Sequence, residues 1–303
     1  MWHGLGVVLP DYPDRDEAYG LSGQDWFVGQ HELFLAGGRK VDGHFAAVRE
    51  DTGAVLAVHN DSYEVLQNSE GWDLAEAIVD QDSALRYETA ITLKGGTVCS
   101  VLLRDEPFRI TGDDSQTVPY LLVSWAHDGS AAMVATATNV RVVCWNTLNL
   151  ALKSGQQRFA FRHTKNVRER IEMAKASVSG MRENTRLYRK LAEHLAKSPV
   201  GAVELFRFLH TVIPDPEGES VTAKQKENAR LNRMELNHII LTGNTVPDGL
   251  RMTGYGLLQG GVEYLDWLGT NSRSEETRLS RVMLTGDTPK QKLLAAVRTA
   301  VRA

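Results

Sequence analysis

The densest cluster of residues able to do chemistry runs from Ser124 to Asn146. His127 and Asp128 stand side by side, Ser124, Ser130 and Cys144 are nucleophile candidates, and Asn139, Arg141 and Asn146 add polar company. A histidine oriented by a carboxylate is a general base, and a hydroxyl or thiol within its reach becomes a nucleophile. The set therefore reads as a candidate enzyme site for nucleotides around His127, Asp128 and Arg141. The competing reading is structural, because Asp, Gly and Ser are the residues a tight turn prefers and Asn146 suits a helix start. The nine histidines are scattered. None pairs with another His, Cys or carboxylate at a familiar ligand spacing, so neither a metal nor another cofactor is expected. Cys99 and Cys144 sit in apolar sequence and read as buried thiols.

A second chemistry is phosphate binding. Arg162, His163, Lys165 and Arg168 gather where a long helical pattern begins, and donors beside a helix N-terminus suit an anion. Further basic side chains occur at Arg182 to Lys190, at Lys224, Lys226, Arg230 and Arg233, and from Arg273 to Arg281. Charge is segregated along the chain: residues 1–152 hold 9 Lys and Arg against 22 Asp and Glu, a net −13, whereas the remainder holds 25 against 16, a net +9. Such asymmetry fits an acidic half that faces a basic half, in the same or a neighbouring subunit, or a basic half that meets a polyanion. A groove lined by several of these cations, Arg141 among them, would bind single-stranded or double-stranded DNA with salt-sensitive affinity, and Phe161 or Tyr255 could stack on bases. No helix-turn-helix, zinc-finger or RNA-recognition motif is present.

The elements that must position these residues follow from periodicity. The chain has 303 residues, 42% hydrophobic and 24% charged, enough for a full core and one or two domains. Residues 1–25 read as an irregular arm. From Trp26 the pattern alternates with period two, giving a strand meander, a short strand at Tyr63 to Leu66, and a helix that Asn68 can cap. A hairpin follows on either side of Lys94 to Gly96. The most apolar stretch, Tyr120 to Val143, is a second hairpin turning at His127 to Ser130, with a helix expected from Cys144 to Leu152. Beyond Leu152 the period lengthens. Arg158 to His163 reads as a last short strand, and apolar or small residues from Val167 to Leu195 alternate three and four apart, predicting one long helix over 165–197 whose seam suits another long helix. Shorter helices are expected at Val200 to Val212, from a cap at Thr222, at Tyr255 to Leu268, and from Thr288 to the end. The expectation is an α+β chain, with an acidic antiparallel β-rich part over 1–152 and a basic helical part over 153–303. No apolar run approaches the roughly 20 residues of a bilayer span, and the start lacks the segments of a signal peptide. No membrane association is expected, and the cytoplasm is the expected location.

A family resemblance rests on Trp2 to Gly6, on Pro119 to Leu122 with His127 to Ser130, on Arg141 to Leu152, on Arg162 to Thr164 and on Asn271 to Arg273. On these residues the chain resembles the phage/plasmid-like proteins of unknown function, over nearly its whole length, although Trp145 stands where a polar residue would be expected. That family implies no catalytic residue. In the order of its elements the chain is also similar in outline to phage single-strand annealing proteins of the Rad52 and RecT type, which implies a homo-oligomeric ring or filament holding one strand in a basic groove without a nucleotide. The leading expectation is a non-catalytic, self-associating DNA-binding protein of recombination or replication. An enzyme around His127 and a structural or host-interaction protein assembled through its long helix are the alternatives.

Overall fold

In the computed structural model, residues 6–10, 13–130, 133–141, 146–148, 158–161, 167–268 and 288–302 are described. The chain enters through strand β1 (Val7–Val8) and helix α1 (Arg15–Leu21), whose cap Asp14 accepts the Glu17 amide at 3.0 Å. The arm expected to be irregular therefore holds two elements. Both are too short to leave a periodic signature. Strands β2 (Val28–Phe34), β3 (Lys40–Arg49) and β4 (Ala54–Asn60) form a small antiparallel sheet in that order. The short strand expected at Tyr63 to Leu66 does not form; the Tyr63 ring instead stacks on His59 at 3.7 Å. Helix α2 (Asn68–Val79) follows, with the Glu70 carboxylate accepting the Gln67 amide at 2.7 Å.

The larger sheet consists of β1, β5 (Arg86–Leu93), β6 (Val98–Arg104), β7 (Thr117–Ala126) and β8 (Met133–Arg141), antiparallel throughout. Strands β9 (Asn146–Leu148) and β10 (Arg158–Phe161) share the far edge of β8. The helix expected from Cys144 to Leu152 is thus a strand at Asn146–Leu148. There an open sheet edge outweighs a capping signal. Both hairpins and the Arg158 strand form as the alternation implies.

The described residues beyond the sheets form helices α3 (Val167–Ala196), α4 (Ala202–Val212), α5 (Ala223–Thr242), α6 (Gly254–Glu263) with a π-helical turn at Tyr264–Leu268, and α7 (Thr288–Ala300). One core lies between the large sheet, α2 and the first half of α3, and contains Trp72, Trp125, Leu121, Ala174 and Met181. A second gathers the end of α3 with α4 to α7 around Tyr188, Phe208, Leu236 and Leu257. The opposite face of the large sheet is also buried, at Ile91, Leu102, Tyr120 and Leu122.

The apolar seam of α3 is therefore real, but it packs on β8, α2 and α6 rather than on a second long helix. Ser177 and Asn184 are buried beside it, which widens the stripe enough to lie on a sheet. Nine of the ten residues of α6 are buried, and its glycines let neighbours close in: a Cβ on Gly260 would stand 2.7 Å from Ile240 Cγ1. The chain is an α+β protein whose two parts share one continuous helix. Among the described residues no helix is long and apolar enough to cross a membrane.

Candidate functional site

The His127–Ser130 turn closes the β7–β8 hairpin. Asp128 Oδ1 accepts the Ser130 amide at 2.9 Å, and Gly129 takes a φ of +71°, so the Asp side chain serves its own turn rather than the imidazole. His127 is 2% exposed and its Nε2 lies 2.9 Å from Asn68 Oδ1. The Trp125 indole, which can only donate, reaches the same oxygen at 2.9 Å. That fixes the oxygen as acceptor and puts the His127 proton on Nε2. Nδ1 is left buried without a well-aligned partner, and the Leu66 backbone and the Asp128 charge favour protonation of the ring less than burial opposes it.

Burial therefore pushes the imidazole down to about 4. The His127 carbonyl accepts His59 Nε2 at 2.8 Å and its amide donates to Thr97 at 2.8 Å, so the turn ties the small sheet to the large one. Ser124 bonds Ser100 at 2.8 Å and points to the opposite face of the sheet from His127. Cys144 lies outside the described residues. A buried, neutral ring is poorly placed to act as a base on a substrate, and among the described residues Ser124, on the other face of the sheet, is not beside it.

A pH dependence follows. The folded pKa lies below the ordinary value near 6.5, so His127 contributes stability that is complete above about 6.5 and is lost as pH falls toward about 4, roughly 3 kcal/mol in all. Urea midpoints measured from pH 7.5 down to 4.5 are expected to decline for the natural chain, and to decline less for His127→Gln, which keeps the donor and cannot titrate. Equal slopes would place the acid sensitivity elsewhere.

Asn139, Arg141 and Asn146 do come together along the backbone, Arg141 lying opposite Asn146 across β8 and β9. Asn139 points instead to α3, its Nδ2 donating to Asn184 Oδ1 at 3.1 Å in a buried polar tie between sheet and helix. Among the described residues no group of three His, Cys, Asp or Glu is placed to hold a metal ion. A groove of about 470 Å³ opens beside β2 and β3; of its charged lining residues His31 pairs with Glu50 at 2.7 Å and Lys40 with Glu32 at 2.5 Å, and Asp42 and Asp61 leave the lining with an acidic excess.

The basic residues divide sharply. Arg162, His163, Lys165 and Arg273 lie outside the described residues, and Arg168 lies in the first turn of α3. Arg182 is clamped between Asp82 and Asp105, and Arg186 pairs with Glu183 at 2.7 Å. On α5, Arg230 is held by Glu227 at 2.6 Å, and Arg233 by Asp215 at 2.6 Å and the Ile213 carbonyl at 2.9 Å. Lys224 and Lys226 are exposed and take no ion pair among the described residues.

The fold adds a surface that the binding set drawn from charge alone leaves out. Helix α7 contains no acidic residue; its solvent side carries Lys292 and Arg298 between Gln291 and Thr299, Arg302 follows in the turn after it, and none of the three cations takes an ion pair among the described residues. Its one buried cation, Lys290, pairs with Asp266 at 2.7 Å and pins the helix to the bundle. The neighbouring α4 adds Arg207 and a 62% exposed Phe206. The signal was in the sequence as a helix of thirteen residues without a carboxylate.

A family model described as a domain of unknown function, DUF932, matches residues 55–284. No curated protein matches the chain, and no solved structure does. The matched span takes in β4 to α6; β1, α1, β2, β3 and the basic helix α7 lie outside it.

Proposed function

The chain belongs to the DUF932 family, and from that premise we propose a phage-type, non-catalytic nucleic-acid-binding protein that self-associates and acts in recombination or replication of DNA, in the manner of single-strand annealing. The observation that carries the reading is the solvent face of α7 and the turn after it, where Lys292, Arg298 and Arg302 take no ion pair among the described residues. Lys292 and Arg298 are about 9 Å apart along the axis, with Arg302 just beyond the helix end, enough to follow a phosphate backbone. Arg207 and the exposed Phe206 on α4 supply a further charge and a ring on which a base can stack. Cations already held by Asp82, Asp105, Glu183, Glu227 and Asp215 are left out of the contact set. The phage setting rests on the family resemblance of the sequence. The enzyme reading gains no accessible base or nucleophile from the His127 turn, and the seam of α3 is occupied within the fold rather than free for assembly.

The test is fluorescence anisotropy with labelled single-stranded and double-stranded oligonucleotides across a salt series. Three phosphate contacts on a single strand contribute about −2 to the slope of log K against log salt, or roughly a 20-fold loss between 50 and 200 mM. The triple variant Lys292→Gln/Arg298→Gln/Arg302→Gln is expected to remove that share, whereas Arg230→Gln changes little. Absence of binding to either kind of DNA at low salt would overturn the proposal.

A further inference from the structure

The far half of the β2–β3 hairpin is left uncovered by the fold. From Gln30 to His44 no residue is buried, and Phe34 and Leu35 at its tip stand 58% and 47% exposed. A two-stranded ribbon with neither face packed is marginal in water, so this one gains from a further strand.

Which edge is open follows from the hydrogen bonds. The Phe27 carbonyl accepts the Glu50 amide at 3.0 Å, and Leu35 donates to the Arg39 carbonyl and accepts the Gly38 amide, each at 2.8 Å. The odd residues along β2 therefore turn their backbone groups toward β3, and the even ones turn theirs outward. At Val28 the outward amide and carbonyl are both taken by the Gln67 side chain, at 2.9 Å each, as a neighbouring strand would take them. At Gln30, Glu32 and Phe34 the outward groups take no partner among the described residues. The break in register after Glu32 falls on β3, which has Val41 to His44 where β2 has only Leu33, so the β2 edge continues unbroken.

We propose that this edge of β2 pairs antiparallel with the same edge of a second copy, about a two-fold axis at Leu33, with Glu32 of each copy opposite Phe34 of the other. Those residues exchange about four backbone hydrogen bonds, and the two three-stranded sheets become one. Other registers fail on the same edge. An axis at Glu32 sets two carboxylates directly opposite each other. One at His31 brings Phe34 onto Val28, where the Gln67 amide already stands. One at Phe34 leaves a single bonded pair. At Leu33 the axis sets that leucine against its own copy and brings Phe34 and Leu35 under cover on the two faces. Because one strand serves both copies, the contact is isologous and closes at a dimer. The inference rests on the self-association named in the proposed function and gives it a surface. It makes no use of α7.

Cysteine cross-linking of the full chain reads the contact and its register together. Opposed residues of a non-hydrogen-bonded antiparallel pair have Cα atoms about 4.5 Å apart, within reach of a disulfide. Leu33→Cys is expected to give a covalent dimer on mild oxidation, above the background of the natural chain with its Cys99 and Cys144. His31→Cys, about 14 Å from its copy in this register, is expected not to. Light scattering across the micromolar range is expected to show the natural chain rising in mass toward a dimer. Glu32→Pro removes an outward amide and sets a ring against the second strand, and is expected to weaken association at least about tenfold, whereas Glu32→Gln changes it little. Circular dichroism checks that each variant is folded, and the cysteine pair decides the matter if the proline variant is not. A natural chain that stays monomeric, or a cross-link at residue 31 and not at 33, overturns the inference. Self-association that survives Glu32→Pro would defeat this surface and leave that of the proposed function standing. A dimer with the expected cross-link that binds no DNA would defeat the nucleic-acid reading and leave the interface.

Discussion

Asn68→Ala is expected to lower stability by about 3–6 kcal/mol, enough to leave a marginal domain largely unfolded at room temperature. Asn68 is fully buried at the start of α2 and satisfies four partners. Its Nδ2 donates to the Gln24 carbonyl at 2.9 Å and the Trp26 carbonyl at 3.4 Å, while its Oδ1 accepts Trp125 Nε1 and His127 Nε2. Truncation strands an indole and an imidazole donor in the core, each at about 1–3 kcal/mol, and opens a small cavity beside Trp125. No water-filled surface lies near enough to compensate, since Trp125 is fully buried and His127 nearly so. Urea unfolding followed by tryptophan fluorescence measures the loss. Asn68→Asp sharpens the test: it keeps the acceptor but turns a carboxylate oxygen toward two carbonyls, and is expected to be at least as damaging at neutral pH. A loss below about 1 kcal/mol for the alanine variant would show that the hub is not what joins α2 to the two sheets.

That residue also shows where sequence reading stops. Asn68 carries the signature of a helix cap, and a cap and a buried hub use the same side chain; only the arrival of Trp125 and His127, more than fifty positions away, separates the two roles. Buried Gln24 behaves alike, accepting Trp72 Nε1 at 2.9 Å and donating to the Ile91 carbonyl at 3.0 Å, yet its sequence neighbourhood is a plain loop. Local information went further wherever a period was long enough to be sampled. The change from alternating to helical spacing near residue 152 marks the switch from strands to helices, and the α3 stripe is buried at Ala174, Met181, Tyr188, Ala192 and Leu195. What packs on that stripe was not legible, because spacing gives the width of an apolar face and not the shape of its partner. Charge was legible as a sum and not as pairs. Glu227 with Arg230 sits within one helical turn, whereas the Asp82 and Asp105 partners of Arg182 lie 100 and 77 residues away.

The Arg182 clamp is where this distinction has its largest consequence. Arg182→Met is expected to cost about 2–4 kcal/mol at neutral pH, somewhat below the range for a fully buried pair, because the Arg182 side chain is 43% exposed while that of Asp105 is 1% exposed. Burial pushes the Asp105 carboxyl above its ordinary value even with the guanidinium against it. A carboxyl raised in this way favours the fold most below its unfolded pKa and loses that contribution as pH rises through the folded one. Without Arg182 the carboxyl climbs further, so the gap between variant and natural chain is expected to be widest near pH 7 and to narrow toward pH 4. His127 titrates over the same range, but it does so in both proteins and cancels in the difference. Adding Asp105→Asn to Arg182→Met removes the stranded charge and is expected to recover part of the loss, in urea titrations at both pH values. A gap that does not shrink on acidification would mean that the ion pair is not what holds α3 to the strand part. If it does shrink, some of the segregated charge is consumed in joining the chain's own halves, and only cations without an internal partner, those of α7 first, remain to meet a polyanion.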